Sequence, residues 1–140
     1  MSWIEHHTKS EQLAADAEVA ARQGQFDRSM ELYRLAADAE AIAVKNLDPD
    51  KHRTLGISVV SAVSLWYKAQ EYLKAQQLAY HWLGASALPT FAVEQLQILL
   101  QTMWSDETRA KAGVKFSRGD VIVTVKGGEI VTGGAPLDLI

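Results

Sequence analysis

The chain has 140 residues, 48% of them hydrophobic and 22% charged, which suits one domain with a real core, since a chain of this size buries about two-thirds of its unfolded surface. A net charge of -3 and a pI near 5.8, with no cluster of Lys or Arg to displace phosphate counterions, argue against binding to nucleic acid or an anionic membrane. The absence of cysteine excludes disulfides, thiol chemistry and thiolate metal sites, and fits a reducing compartment.

Residues 1–7 have neither the basic start nor the apolar stretch of a signal peptide, and no run approaches a membrane span, so a cytoplasmic protein is expected. After a polar lead containing Trp3, Thr8 or Ser10 is expected to cap a helix over 11–23 whose apolar stripe is Leu13, Ala17, Ala20 and Ala21. The turn that follows, Gly24-Gln25-Phe26-Asp27, is chemically specified. Gly24 tolerates the left-handed conformation that ends a helix, and Asp27 places a negative charge at the start of the next. The second helix is expected over 26–46, with the stripe Phe26, Met30, Tyr33, Ala36 and Ala37.

Leu13, Ala17, Ala20, Gly24, Phe26, Tyr33 and Ala36 stand at the signature positions of the tetratricopeptide repeat, which this helical hairpin resembles. Three features depart from that pattern. Ala17 stands where glycine is common, Ser29 where alanine is usual, and no proline closes the unit near Ala41. The long second helix is also similar in shape to the microtubule-interacting-and-trafficking domain. The resemblance implies a scaffold of antiparallel helical hairpins that docks a peptide or partner domain, without enzymatic activity, and it implies that the Phe26 ring staples the first two helices together in the core.

Residues 47–50, Leu-Asp-Pro-Asp, read as a turn with Asp48 as the cap of a third helix over 50–68. That helix is apolar over a wide arc, with Leu55, Val59, Ala62 and Trp66 on one side and Val60, Val63 and Tyr67 beside them. Between Thr54 and Trp104 the only charged residues are Lys68, Glu71, Lys74 and Glu94, whereas the first 47 residues hold thirteen, so the middle of the chain is expected to be internal or covered by a partner. Around Tyr72 the first turn recurs in weaker form, with Tyr72 standing 46 positions after Phe26. Gly24, Phe26 and Tyr72 are thus the expected structural residues of the two turns. A fourth helix over 72–83, a connection through Pro89, a fifth helix with the stripe Ala92, Leu96, Leu99 and Met103, and a short sixth beginning at Ser105 complete a helical domain over 1–112.

From 113 onward the character changes to β-branched runs. Those over 120–126 and 129–132 are separated by Gly127-Gly128, a two-residue hairpin signal, and an apolar tail follows to Ile140. The fold class expected is therefore mainly α, in antiparallel helical hairpins, with a C-terminal β-hairpin. The open edge of that hairpin suggests homodimerisation through 121–140.

No residue set places a nucleophile beside a base, and no cofactor or metal motif is present; the Gly-Gly pairs lack the Lys-Ser/Thr of a phosphate loop. His6 and His7 lie on what reads as a flexible end without a preorganised metal site, and His52 and His81 lack a motif, so all four are expected to be structural or solvent-facing. The acidic series Glu11, Asp16, Glu18, Asp27, Glu31, Asp38 and Glu40 reads as a solvated outer face. Binding residues, if a groove exists, are expected among Trp66, Tyr67, Tyr80, Trp82 and Trp104, although aromatics at helical spacing more often fill a core. Three readings stand in order: a non-enzymatic protein-interaction module, a self-associating regulatory domain or fragment of a larger defence or signalling protein, and an enzyme assembled from distant residues.

Overall fold

The computed structural model describes residues 2–112, with side chains to Arg109, and the backbone of 115–117, 120–124 and 130–131. Among them are five helices: α1 (Trp3–Arg22), α2 (Phe26–Lys45), α3 (His52–Lys68), α4 (Tyr72–Ala85) and α5 (Thr90–Ala112). The fold is mainly α, and α1 packs on α2, α2 on α3, and α3 on α4. None of these helices is long and apolar enough to cross a membrane. The chain divides into two compact units, Met1–Gln97 and Ile98–Ile140, with the division inside α5.

α1 begins two turns earlier than Thr8 or Ser10 would require. Ser2 is the cap, its hydroxyl accepting from the Glu5 amide at 3.4 Å, in a Ser-x-x-Glu arrangement. The expected polar lead is therefore helical, and it carries Trp3 and His7 onto the body of the bundle.

The turn between α1 and α2 closes as a Schellman motif. Gly24 has φ +77°, its amide bonds Ala21 O at 3.0 Å, and the Gln25 amide bonds Ala20 O at 2.9 Å. Ala17 and Ala20 of α1 and Ser29, Ala36 and Ala37 of α2 are buried in helices that pack on each other, and side chains this small let the helices approach closely. Ser29, at the position where alanine is usual, donates its hydroxyl to Ala17 O at 2.7 Å between the two helices. Phe26 does not staple the hairpin: it is 68% exposed. As the first residue of α2 its side chain points back past the helix end.

Asp48 is a turn residue and not the cap of α3; its carboxylate accepts the Asp50 amide at 3.0 Å, while Lys51 occupies the cap position without a side-chain bond. α3 buries Leu55, Gly56, Ser58, Val59, Ala62, Val63, Leu65 and Trp66, as its charge-poor composition requires. Gly56 marks a close approach, since a Cβ there would lie 2.9 Å from Pro89 Cγ and 3.0 Å from Ala92 Cβ.

The turn from α3 to α4 repeats the first. The Gln70 amide bonds Tyr67 O and the Glu71 amide bonds Trp66 O, both at 2.9 Å, with Gln70 at φ +60° where Gly24 stands in the earlier turn. α4 continues past Gly84 to Ala85 and ends on Ser86 at φ +55°. The separate sixth helix is absent: Ser105-Asp106-Glu107 lies within α5, where no glycine or proline interrupts the hydrogen-bond ladder and Asp106 pairs with Arg109 at 3.8 Å.

Beyond α5, short strands β1 (Lys115–Ser117), β2 (Asp120–Thr124) and β3 (Ile130–Val131) pair antiparallel in that order along the chain. The Gly127-Gly128 turn and the tail after Val131 lie outside the described residues, and with them most of the segment 121–140 expected to dimerise.

Candidate functional site

The least anticipated feature of the helical unit is a carboxylate inside it. Glu40 belongs by spacing to the α2 stripe Ala36, Ala37, Glu40 and Ala43, and it is 1% exposed, while Glu11, Asp16, Glu18, Asp27, Glu31 and Asp38 are at the surface as expected. A buried carboxylate is tolerated only with partners, and Glu40 has two. Ser58 of α3 donates its hydroxyl to Oε1 at 2.9 Å, and His7 Nδ1 of α1 lies 2.6 Å from Oε1 and 2.9 Å from Oε2. Trp3 Nε1 donates to Ser58 Oγ at 3.3 Å, and the Trp3 ring stacks on the His7 ring with centroids 4.7 Å apart. His7 Nε2 meets the exposed Glu11 carboxylate at 2.8 Å. One connected set of polar side chains thus ties α1, α2 and α3 together. His7 is consequently a half-buried residue of α1 held by Glu40 and Glu11, and not part of a flexible end.

Serine, histidine and glutamate occur together here without the geometry of acyl-transfer catalysis. Ser58 donates to the carboxylate and not to the imidazole, and the far nitrogen of His7 faces Glu11 in place of a nucleophile. The carboxylates and His7 do not converge on a point, and no group of three or more His, Asp or Glu among the described residues could hold a metal ion.

Glu40 and His7 form one end of an open cleft of about 280 Å³ between α1 and α3. Its walls are Ser10, Glu11 and Ala14 on one side and Ser61, Ser64 and Lys68 on the other. At the Lys68 end the ammonium lies over the Tyr33 ring, 5.8 Å from its centroid. Burial, reinforced by the Glu18 carboxylate, holds the Tyr33 hydroxyl above its ordinary range, so the phenol stays neutral.

A second cleft, of about 190 Å³, is closed by α2, α3 and α4. Val59 and Ala62, each fully buried, form its floor; Ala41, Val44, Leu78 and Trp82 form its sides; Lys45 and His81 stand at its rim.

The aromatic residues expected to bind do not form one groove. Trp66 is core, 6% exposed, with the Lys74 ammonium 4.6 Å from its ring centroid. Tyr67 meets Tyr72 at 5.7 Å across the second turn. Trp82 lines the smaller cleft with His81 edge-on to it at 5.5 Å, Tyr80 is 49% exposed, and Trp104 belongs to the second unit. Sequence reasoning missed Glu40, His7 and Ser58, of which only Glu40 carried a signal, a charge in register with buried alanines. Comparison with family models, with curated proteins and with solved structures returned no match.

Proposed function

We propose that the chain is a non-enzymatic protein-interaction module built on tetratricopeptide-like helical hairpins, and that the cleft between α1 and α3 docks an extended peptide segment. The observation that carries this reading is the cleft itself: hydroxyls of Ser10, Ser61 and Ser64 and the charges of Glu11 and Lys68 line an open channel, one end of which is fixed by the Glu40 cluster. Ser61 and Ser64 at helical spacing on the α3 wall, with Ser10 on the α1 wall, suit the donors and acceptors of a peptide backbone, and a fixed end lowers the entropic cost of binding. The two Schellman turns of matching geometry, 46 positions apart, support the repeat character of the scaffold. The partner is then a protein or peptide, with neither nucleic acid nor membrane called for.

Selection from a random peptide library displayed on phage tests this. Peptides enriched on the native chain should bind at least about tenfold more weakly to Ser64→Arg, which places a long side chain in the channel. Equal binding to both proteins would remove the cleft as the docking site.

A further inference from the structure

The cleft between α2, α3 and α4 has a composition distinct from that of the α1–α3 channel. Its interior is hydrocarbon and indole, from Val59, Ala62, Leu78 and Trp82, and no carboxylate lines it. A closed apolar cavity of roughly 150 Å³ accepts a benzene ring. At about 190 Å³ this cleft has room for a phenyl group and one further carbon.

The rim is basic. Lys45 comes from the last turn of α2 and His81 from α4, and among the described residues neither is in an ion pair. Lysine in a last turn commonly serves the carbonyls of the helix end, but here those groups are already engaged. The Asn46 side chain donates to Ile42 O at 2.9 Å, its amide bonds Ala43 O at 3.0 Å, and the Leu47 amide bonds Val44 O at 3.2 Å. The Lys45 charge is left for something at the mouth of the cleft.

We propose that this cleft binds a small aromatic carboxylate, with the ring on Val59 and Ala62 against Trp82 and the carboxylate at the rim toward Lys45 and His81. An aromatic amine would set a second cation beside Lys45. A neutral ring would satisfy the floor and leave the rim unanswered. An aryl group with a short carboxylated arm satisfies both, with apolar burial providing affinity and the rim choosing the charge.

Phenylacetate titrated into the ¹⁵N-labelled full chain tests the assignment, read at the indole resonance of Trp82 and identified among the four tryptophans by its loss in Trp82→Phe. The expected result is a saturable shift with a dissociation constant of about a millimolar. Affinity should fall about fivefold for 2-phenylethanol, which lacks the charge, and for phenylacetate with Lys45→Gln. Lys45 is exposed, so that variant keeps the fold, and its far-UV circular dichroism should match the native chain. No saturable movement of Trp82 at 20 times that concentration overturns the proposal. So does equal affinity for acid and alcohol, or for native chain and Lys45→Gln, because the cleft would then take any ring without reading its carboxylate.

Discussion

Gln70 holds, at φ +60°, the backbone position that Gly24 holds at φ +77° in the preceding turn, with the same pair of Schellman hydrogen bonds closing each helix. The left-handed region costs a residue with a Cβ about 1 kcal/mol or more, and Gln70 bears that cost in the native state. Gln70→Gly should therefore stabilise the chain by roughly 0.5 to 1 kcal/mol, net of the greater freedom glycine gives the unfolded chain. Gly24→Val should destabilise it through the backbone alone, since nothing lies within 4 Å of a Cβ built at Gly24. Urea melts of the two variants, with unchanged slopes, read both signs.

Gly56 presents the opposite case, in which the backbone accepts any residue and the surroundings do not. Alanine in a helix interior is favoured over glycine by about 1 kcal/mol. Its Cβ would stand 2.9 to 3.1 Å from the Pro89 ring, the Ala92 Cβ and the Phe91 ring edge, of which the first two cannot swing aside. Overpacking at such a site costs about 1 to 3 kcal/mol, so Gly56→Ala should lower the thermal midpoint, and a rise would show that α3 can draw away from the start of α5.

Removing Glu40 while leaving its neighbours should be among the most damaging single changes in the helical unit. Glu40→Ala strands the Ser58 hydroxyl and the His7 ring and opens a hole, at an expected cost of about 3 to 5 kcal/mol. Replacing the set together, His7→Leu with Glu40→Leu and Ser58→Ala, should cost markedly less than Glu40→Ala alone, because the buried carboxylate leaves together with its partners and only the half-buried Trp3 Nε1 loses an acceptor. Denaturant melts of the single and triple variants decide this; a triple variant worse than the single one would show that the cluster supplies net stability and not only specificity.

Phe26→Ala should cost less than about 1 kcal/mol, because a side chain 68% exposed gives up little buried area. A loss of 3 kcal/mol or more in the same melts would mean that the ring is buried in solution.

The character of the helical unit is local chemistry, and the sequence by itself determined it. Alanine stripes, the Gly24 turn, the recurrence at Tyr72 and the charge-poor run of α3 identified the helices and most of their limits, because helix period and turn propensity depend on residues within a few positions of one another. The start of α1 was also written locally, in Ser2-Trp3-Ile4-Glu5, although two later hydroxyls offered rival caps. Only the tertiary structure decided which side chains the crossings would enclose. Glu40 lies in the register of the buried alanines, but its burial is tolerable only because His7, 33 positions earlier, and Ser58, 18 positions later, arrive at its two oxygens. Phe26 had the periodicity of a core residue but stands at the first position of α2 and is exposed, whereas Ser29 is buried and reaches the Ala17 carbonyl. The two clefts belong to the same class of result: each is walled by helices distant in sequence, and the space between helices depends on how closely their small residues let them pack.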